Sequence, residues 1–316
     1  MRVVSDANLP IGVFDSGMGG LTVLAALQRQ LPTEDFIYLG DTARLPYGTK
    51  SAETVVRYAR QAAGALVQRG IKALVVACNT ASATALDALA QEFAPLPVFG
   101  VVEPGAAAAC AVADASGVTV LATESTIAGG AYQRALLRSQ PSLRVLGRPC
   151  PLWVTLAEQG SVASALSDAI LQDGVSGLAQ SPVAPGLPST LLLGCTHFPV
   201  FRDALQRLLG DGVRVIDSAQ TTAATVAAAL TEHGLASAHG GKTVFLATDG
   251  VARFQRVGAV FMCRRLDSLA NLELVDIQSG LGRGGLVGGY SSVLSLYSHR
   301  SSMVQLPQRG LRAIHT

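Results

Sequence analysis

Three segments of this chain end an apolar run in small polar residues and then continue into a helical pattern. They are IGVFDSGMGGLTVL from residue 11, ALVVACNTASATAL from residue 73 and TLLLGCTHFPVFRDAL from residue 190. In open α/β sheets, ligands bind beyond the carboxyl ends of the strands, where helix N-termini offer free N–H groups to anions. The pattern predicts that Asp15, Ser16, Cys78, Asn79, Thr80, Cys195, Thr196 and His197 share such an edge. Taken alone, the first segment reads as a tight turn with a helix cap. Its Gly17, Gly19 and Gly20 lack the GxGxxG spacing of a dinucleotide site.

The second and third segments each place a cysteine at the same point of a strand-to-helix turn, once in each half of the chain. If the halves are related by an approximate twofold, the thiols face one another. Inverting a carbon stereocentre by deprotonation needs a base on one face and an acid on the other, and two thiols can exchange those roles on reversal. A thiol ionises near pH 8.5, so it needs a neighbouring acid–base group at neutral pH. Asp15 is placed to serve Cys78, and His197 to serve Cys195.

These segments need a scaffold of alternating strands and helices, and the sequence supplies one. Short apolar runs at 10–14, 36–39, 73–77 and 98–101 read as strands. Between them Val55, Ala59, Ala62 and Leu66 recur at helical spacing, opened by Ser51 and closed by Gly70. The scheme repeats with strands at 118–121, 143–146, 191–193, 213–216 and 243–246, and helices at 127–138, 162–171, 201–209, 221–233 and 251–261. The expected fold is α/β, with two pseudo-symmetric, doubly wound, flavodoxin-like domains and the site in the cleft between them. The expected division is 1–101 with 217–277 as the first domain and 102–216 as the second. Residues 278–316, with seven glycines and seven serines, read as a flexible tail. The stretch around Pro182, Pro185 and Pro188 reads as an exposed loop.

Composition narrows the function further. The chain has 316 residues, 49% of them hydrophobic and 15% charged, enough for a large core. Its net charge is +2, but the tail holds Arg283, Arg300, Arg309 and Arg312 and no acid. That leaves −2 for residues 1–277, so no nucleic-acid partner is expected. No apolar run is long enough for a membrane span and no signal peptide is evident, so the reading is cytoplasmic. The five cysteines form no CxxC pair, and Cys110, Cys150 and Cys263 read as structural thiols. His233, His239, His299 and His315 lack partners at metal-ligand spacing, so no metal is expected. Lys50, Lys72 and Lys242 are the only lysines, and none lies at a polar strand end where a pyridoxal cofactor would need one. Cofactor-free chemistry is the expectation.

The chain resembles the cofactor-independent glutamate racemases of bacterial cell-wall synthesis, within the wider aspartate and glutamate racemase superfamily. The likeness rests on FDSGMGGLTVL at 14–24, YLGDTARLPYG at 38–48, ACNTAS at 77–82, GVVEPG at 100–105, CPLWVTLAEQG at 150–160 and LGCTHFP at 193–199. It covers roughly residues 9–277. The resemblance implies that Cys78 and Cys195 are the two acid/base thiols, one serving each enantiomer, assisted by Asp15, Glu158 and His197. It likewise implies that Ser16, Tyr47, Gly48, Asn79, Thr80, Thr126 and Thr196, together with Asp15 and His197, hold the substrate glutamate. A homodimer is a further implication.

Two positions depart from the family pattern. Phe198 stands where Tyr is common, and Ser125 where Gly is common in TESTI. Neither is a proposed base, so activity is expected to survive. Two other functions fit parts of the sequence. An aspartate racemase, or another racemase of the superfamily, would differ in the room given to the side-chain carboxylate. A regulatory binding protein, such as a gyrase inhibitor, is favoured only by the basic tail.

Overall fold

The computed structural model describes residues 6–176, 178, 188–262 and 272–277. Pro182, Pro185, Cys263 and the tail from 278 lie outside the described residues, and so do the expectations made for them. Among the described residues, no helix is long and apolar enough to cross a membrane.

Ten strands form two parallel sheets. The first contains β1 (Ile11–Asp15), β2 (Phe36–Gly40), β3 (Ala73–Val76), β4 (Val98–Gly100), β9 (Thr243–Ala247) and β10 (Leu272–Leu274), in the order β10-β9-β2-β1-β3-β4. The second contains β5 (Val118–Ala122), β6 (Val145–Pro149), β7 (Thr190–Gly194) and β8 (Arg214–Asp217), in the order β6-β5-β7-β8. The shared run of second, first, third, fourth makes β1 equivalent to β5 and β3 to β7. The two cysteine turns therefore follow equivalent strands. The chain passes to the second sheet after Gly100 and returns after Asp217.

Alternation along each strand sends side chains to opposite faces. Ile11, Val13, Phe36, Tyr38, Ala73 and Val75 enter the largest core, while Phe14, Ile37, Leu39, Leu74 and Val76 enter a second. Leu121, Leu191, Leu193 and Val215 of the other sheet join the same largest core, so one apolar layer is continuous between the sheets. Val118, Val120, Ala122 and Leu192 face a third cluster.

The helices form where periodicity and caps agree. In α2 (Ala52–Val67), Ser51 accepts the Thr54 N–H, and Val55, Ala59, Ala62 and Leu66 are buried. Several sequence expectations shift. The helix read at 127–138 is two, α5 (Glu124–Gly129) and α6 (Ala131–Ser139), because Gly130 takes φ +66 and closes the first. The strand read at 143–146 becomes β6, since Leu143 is held in a turn by its N–H to Gln140 O, 3.0 Å, and pairing begins at Val145. The helix read at 162–171 starts later, as α8 (Ala165–Val175), at a reciprocal cap between Ser164 and Ser167.

Candidate active site

The site is built at the carboxyl ends of β1, β3, β5 and β7. Asp15, the last residue of β1, is fully buried and its Oδ2 accepts the Gly17 N–H at 3.0 Å. The turn that follows leads into α1 (Leu21–Gln30) and is pinned by Tyr38, whose hydroxyl donates to Gly17 O at 3.1 Å. Asp15 thus shapes the turn, while α1 itself opens at Gly20 without a side-chain cap, and Asp15 also reaches the other sheet: Thr196 Oγ1 donates to Asp15 Oδ1 at 3.5 Å. Burial holds the Asp15 carboxyl above its ordinary range, against the charge of His197 and the Gly20 and Gly17 N–H groups.

Glycine is required where the two strand-end turns touch. A Cβ on Gly19 would stand 2.5 Å from Thr196 Oγ1 and 2.6 Å from His197 Nδ1. Gly19→Ala is therefore expected to displace the CTH turn, lowering kcat/KM about tenfold or more because small misplacements of reacting groups are costly. Kinetics and a melting curve on the same preparation check this, and the activity loss should exceed what the fall in Tm accounts for.

Cys78 follows β3 and caps α3 (Asn79–Glu92), its Sγ accepting the Ala81 N–H at 3.5 Å. Its own hydrogen bond goes to Ser16 Oγ at 3.6 Å. The sequence reading paired Cys78 with Asp15; the structure gives the hydrogen bond to Ser16 because Asp15 turns back onto Gly17. Asp15 remains an electrostatic neighbour. Burial, then the Asp15 charge, push the Cys78 thiol up to about 12, and the charge of Cys195 adds to the rise. The two thiols are thus within electrostatic reach of one another.

Cys195 follows β7, buried like Cys78, and its Sγ lies 3.7 Å from His197 Nδ1. His197 Nε2 lies 3.1 Å from Glu158 Oε1, at the end of α7 (Pro151–Glu158). Arg253, on α11 (Val251–Met262), donates to Glu158 Oε2 at 3.0 Å. Burial disfavours a charged imidazole, yet the hydrogen bonds to Cys195 and Glu158 outweigh it and lift His197 to about 10. Burial likewise works to raise Glu158, but the bond and charge of His197 and the Arg253 guanidinium bring it below its ordinary value. Asp15, Thr196, His197, Cys195, Glu158 and Arg253 form one connected polar string.

A second group joins the sheets on the Cys78 side. Thr80 Oγ1 lies 3.1 Å from both Thr123 Oγ1 and Thr126 Oγ1. Gly48 packs against Thr123, where a Cβ would meet Thr123 Cβ at 2.7 Å. Tyr47, in the short 3-10 turn with Gly48, donates to Asp41 Oδ2 at 2.5 Å. Asn79 Nδ2 donates to Tyr132 Oη at 2.6 Å.

The site residues named from the sequence lie at these strand ends or in the polar groups joined to them, with Tyr47 and Gly48 in the 3-10 turn that packs on Thr123. Sequence reasoning missed Thr123, Tyr132, Ser218 and Arg253. Thr123 and Ser218 had a signal, since they follow β5 and β8 as Ser16 follows β1. The other two reach the site from remote helices. Among the described residues, no three His, Cys, Asp or Glu side chains gather into a metal-holding group. Cys110 and Cys150 are buried, and Cys150 Sγ is within 3.8 Å of Arg148 O.

Comparison with known proteins agrees with this fold. Residues 11–226 match the family described as Asp/Glu/Hydantoin racemase. A glutamate racemase of Geobacter metallireducens is 45% identical over 266 residues, 84% of this chain and 96% of that protein. Among solved structures, the Francisella tularensis glutamate racemase in complex with D-glutamate superposes with TM-score 0.79 at 34% identity, covering 86% of this chain and 99% of that one. The Thermus thermophilus glutamate racemase, in complex with β-chloro-D-alanine, gives 0.74 at 40% identity over 85% and 98%. With strand-end turns, fold and sequence in accord, the chain belongs to the Asp/Glu/Hydantoin racemase family.

Proposed function

We propose that this chain interconverts L- and D-glutamate by cofactor-independent proton transfer between Cys78 and Cys195, supplying D-glutamate for peptidoglycan synthesis in the cytoplasm. The observation that carries the reading is two buried thiols at the ends of equivalent strands of two sheets. The names of its relatives, and the D-glutamate in the Francisella tularensis structure, supply the substrate. The first lobe is taken as residues 1–101 with 217–277, and the second as 102–216.

In each direction one thiolate removes the α-hydrogen, leaving a planar carbanion whose charge spreads into the α-carboxylate. The opposite thiol then delivers its proton to the other face. Cys78, held protonated by burial, is set to donate in the half-cycle in which Cys195 abstracts. A protonated His197 donates a hydrogen bond to the Cys195 thiolate, with Glu158 holding the imidazolium; once Cys195 has taken the α-hydrogen it is the thiol that donates in the reverse direction, and Cys78 is left as the thiolate. Asp15 stands beside Cys78 as the group able to take up its proton. Thr80, Thr126, Asn79 and Thr196, with Ser16, Tyr47 and Gly48, supply neutral donors for the carboxylates.

The test is direct. Purified chain without added cofactor, incubated with either enantiomer in deuterium oxide, should place deuterium on the α-carbon of both. Glutamate should exceed aspartate in kcat/KM by at least about tenfold, because a site that hydrogen-bonds the distal carboxylate penalises the wrong chain length. Failure to exchange without a cofactor would sink the mechanism, and preference for aspartate would move the substrate. The homodimer implied by the family is measured by light scattering.

A further inference from the structure

Asn79, the first residue of α3, is tied to two other helices by hydrogen bonds that lead away from the thiols. Its Nδ2 donates to Tyr132 Oη at 2.6 Å, and that hydroxyl lies 2.9 Å from Ser218 Oγ. Tyr132 belongs to α6, and Ser218 opens α10 (Ser218–Glu232), directly after the chain returns from the second sheet at Asp217. All three residues are buried, Tyr132 completely.

Two glycines make room for this chain of bonds. A Cβ on Gly105 would stand 2.6 Å from Ser218 Oγ, and one on Gly194 would stand 2.9 Å from the Tyr132 ring. Gly194 immediately precedes Cys195, so the ring edge rests on the strand end that carries the second thiol. Burial keeps the Tyr132 phenol well above its ordinary value, and it stays neutral. A neutral phenol has one proton to give. Its oxygen accepts from Asn79, and one of the two hydroxyls donates to the other between Tyr132 and Ser218, so the bonds run without a break from carboxamide to phenol to serine.

We propose that Tyr132 is a positioning residue for the racemase reaction, whose hydroxyl fixes the Asn79 carboxamide toward the substrate carboxylate and ties that orientation to the chain crossing at Ser218. The inference rests on the racemase reading of the site. Its consequence is that substrate affinity depends on a hydroxyl that does not touch the substrate. A phenylalanine at this position would fill the core equally well and leave the carboxamide free to turn.

The experiment measures KM and kcat for glutamate in the full chain, and D-glutamate affinity by calorimetry, which needs no turnover. Tyr132→Phe should raise KM and weaken D-glutamate binding about tenfold, the cost of leaving a buried donor unpaired, while kcat changes much less. Ser218→Ala keeps the Asn79–Tyr132 bond and should give a smaller change in the same direction; it also serves if Tyr132→Phe folds poorly. In an Asn79→Ala background, Tyr132→Phe should add nothing further to the affinity loss, whereas a purely structural tyrosine would add its full effect. A lower Tm with unchanged KM, or additive losses in the double variant, overturns the proposal. If the unsubstituted chain fails to racemise glutamate, the reading of the site falls and the inference with it; an active chain with an indifferent Tyr132 removes the inference alone.

Discussion

Cys78→Ser and Cys195→Ser should each lower kcat/KM for both enantiomers by about a thousandfold or more, the scale on which a positioned acid or base contributes to proton transfer. Each thiol is the base in one direction and the acid in the other, so no direction is spared. Enantiomers have equal free energy in water, so the two kcat/KM values must fall together. Serine is the informative replacement at position 78. Cys78 Sγ caps α3 by accepting the Ala81 N–H, and a serine hydroxyl caps at least as well. Its proton, however, is far harder to remove. The helix and the fold should persist, as circular dichroism and Tm will show, while racemisation stops. Turnover near the unsubstituted rate by either variant would contradict the two-thiol scheme.

Glu158→Gln should cost about a hundredfold in kcat/KM at neutral pH, through His197, because a lost acid–base partner carries a factor of that order. Burial works against a charged His197; the hydrogen bonds to Cys195 and Glu158 overcome it and set the value to about 10. Glutamine can still accept from Nε2, but it brings no charge, so the imidazolium loses part of its support while the larger one, the Cys195 bond, remains. The alkaline limb of the pH–rate profile should move to lower pH in the variant. Stability carries the same signature. His197 is raised from 6.5 to about 10 on folding, so its contribution is complete below pH 6.5 and is lost as the pH climbs toward 10. Melting curves of the unsubstituted chain should fall across that window, and those of Glu158→Gln should be flatter. Glu158 itself lies below its ordinary value, so its contribution is lost on the acid side, and that loss should also vanish in the variant. Arg253 is 42% exposed and remains solvated without its carboxylate. An alkaline limb that does not move would show that Glu158 does not govern the imidazole.

The residues that sequence made visible share one property: a local pattern places them. Asp15, Cys78 and Cys195 each follow an apolar run and precede a helix, so strand ends and site could be read together. His197 was readable from its place beside Cys195. The relation of Asp15 to Cys78 was less so, because adjacency at a sheet edge does not say which way a carboxylate turns, and Gly17 captures it. Ser218 follows β8 as Ser16 follows β1, a signal the sequence did carry, but Tyr132 and Arg253 have none. They sit in ordinary helical sequence and reach the site only through packing, Tyr132 bonding Ser218 across 86 positions and Arg253 bonding Glu158 across 95. The helix boundary at Gly130 was obscured for a related reason. Apolar periodicity runs through the break, and only the positive φ of that residue separates α5 from α6.

The interleaving of the sheets has a consequence for how the protein is made. All four strands of the second sheet exist once a ribosome has delivered residue 217, and they come from one uninterrupted stretch. The first sheet is begun earlier, yet β2 keeps a bare edge until Thr243 emerges to pair with Phe36. During that interval the nascent chain carries an open parallel edge of apolar strands, the kind of surface that invites pairing with other chains. The part of the molecule bearing Asp15 and Cys78 is thus translated first and completed last.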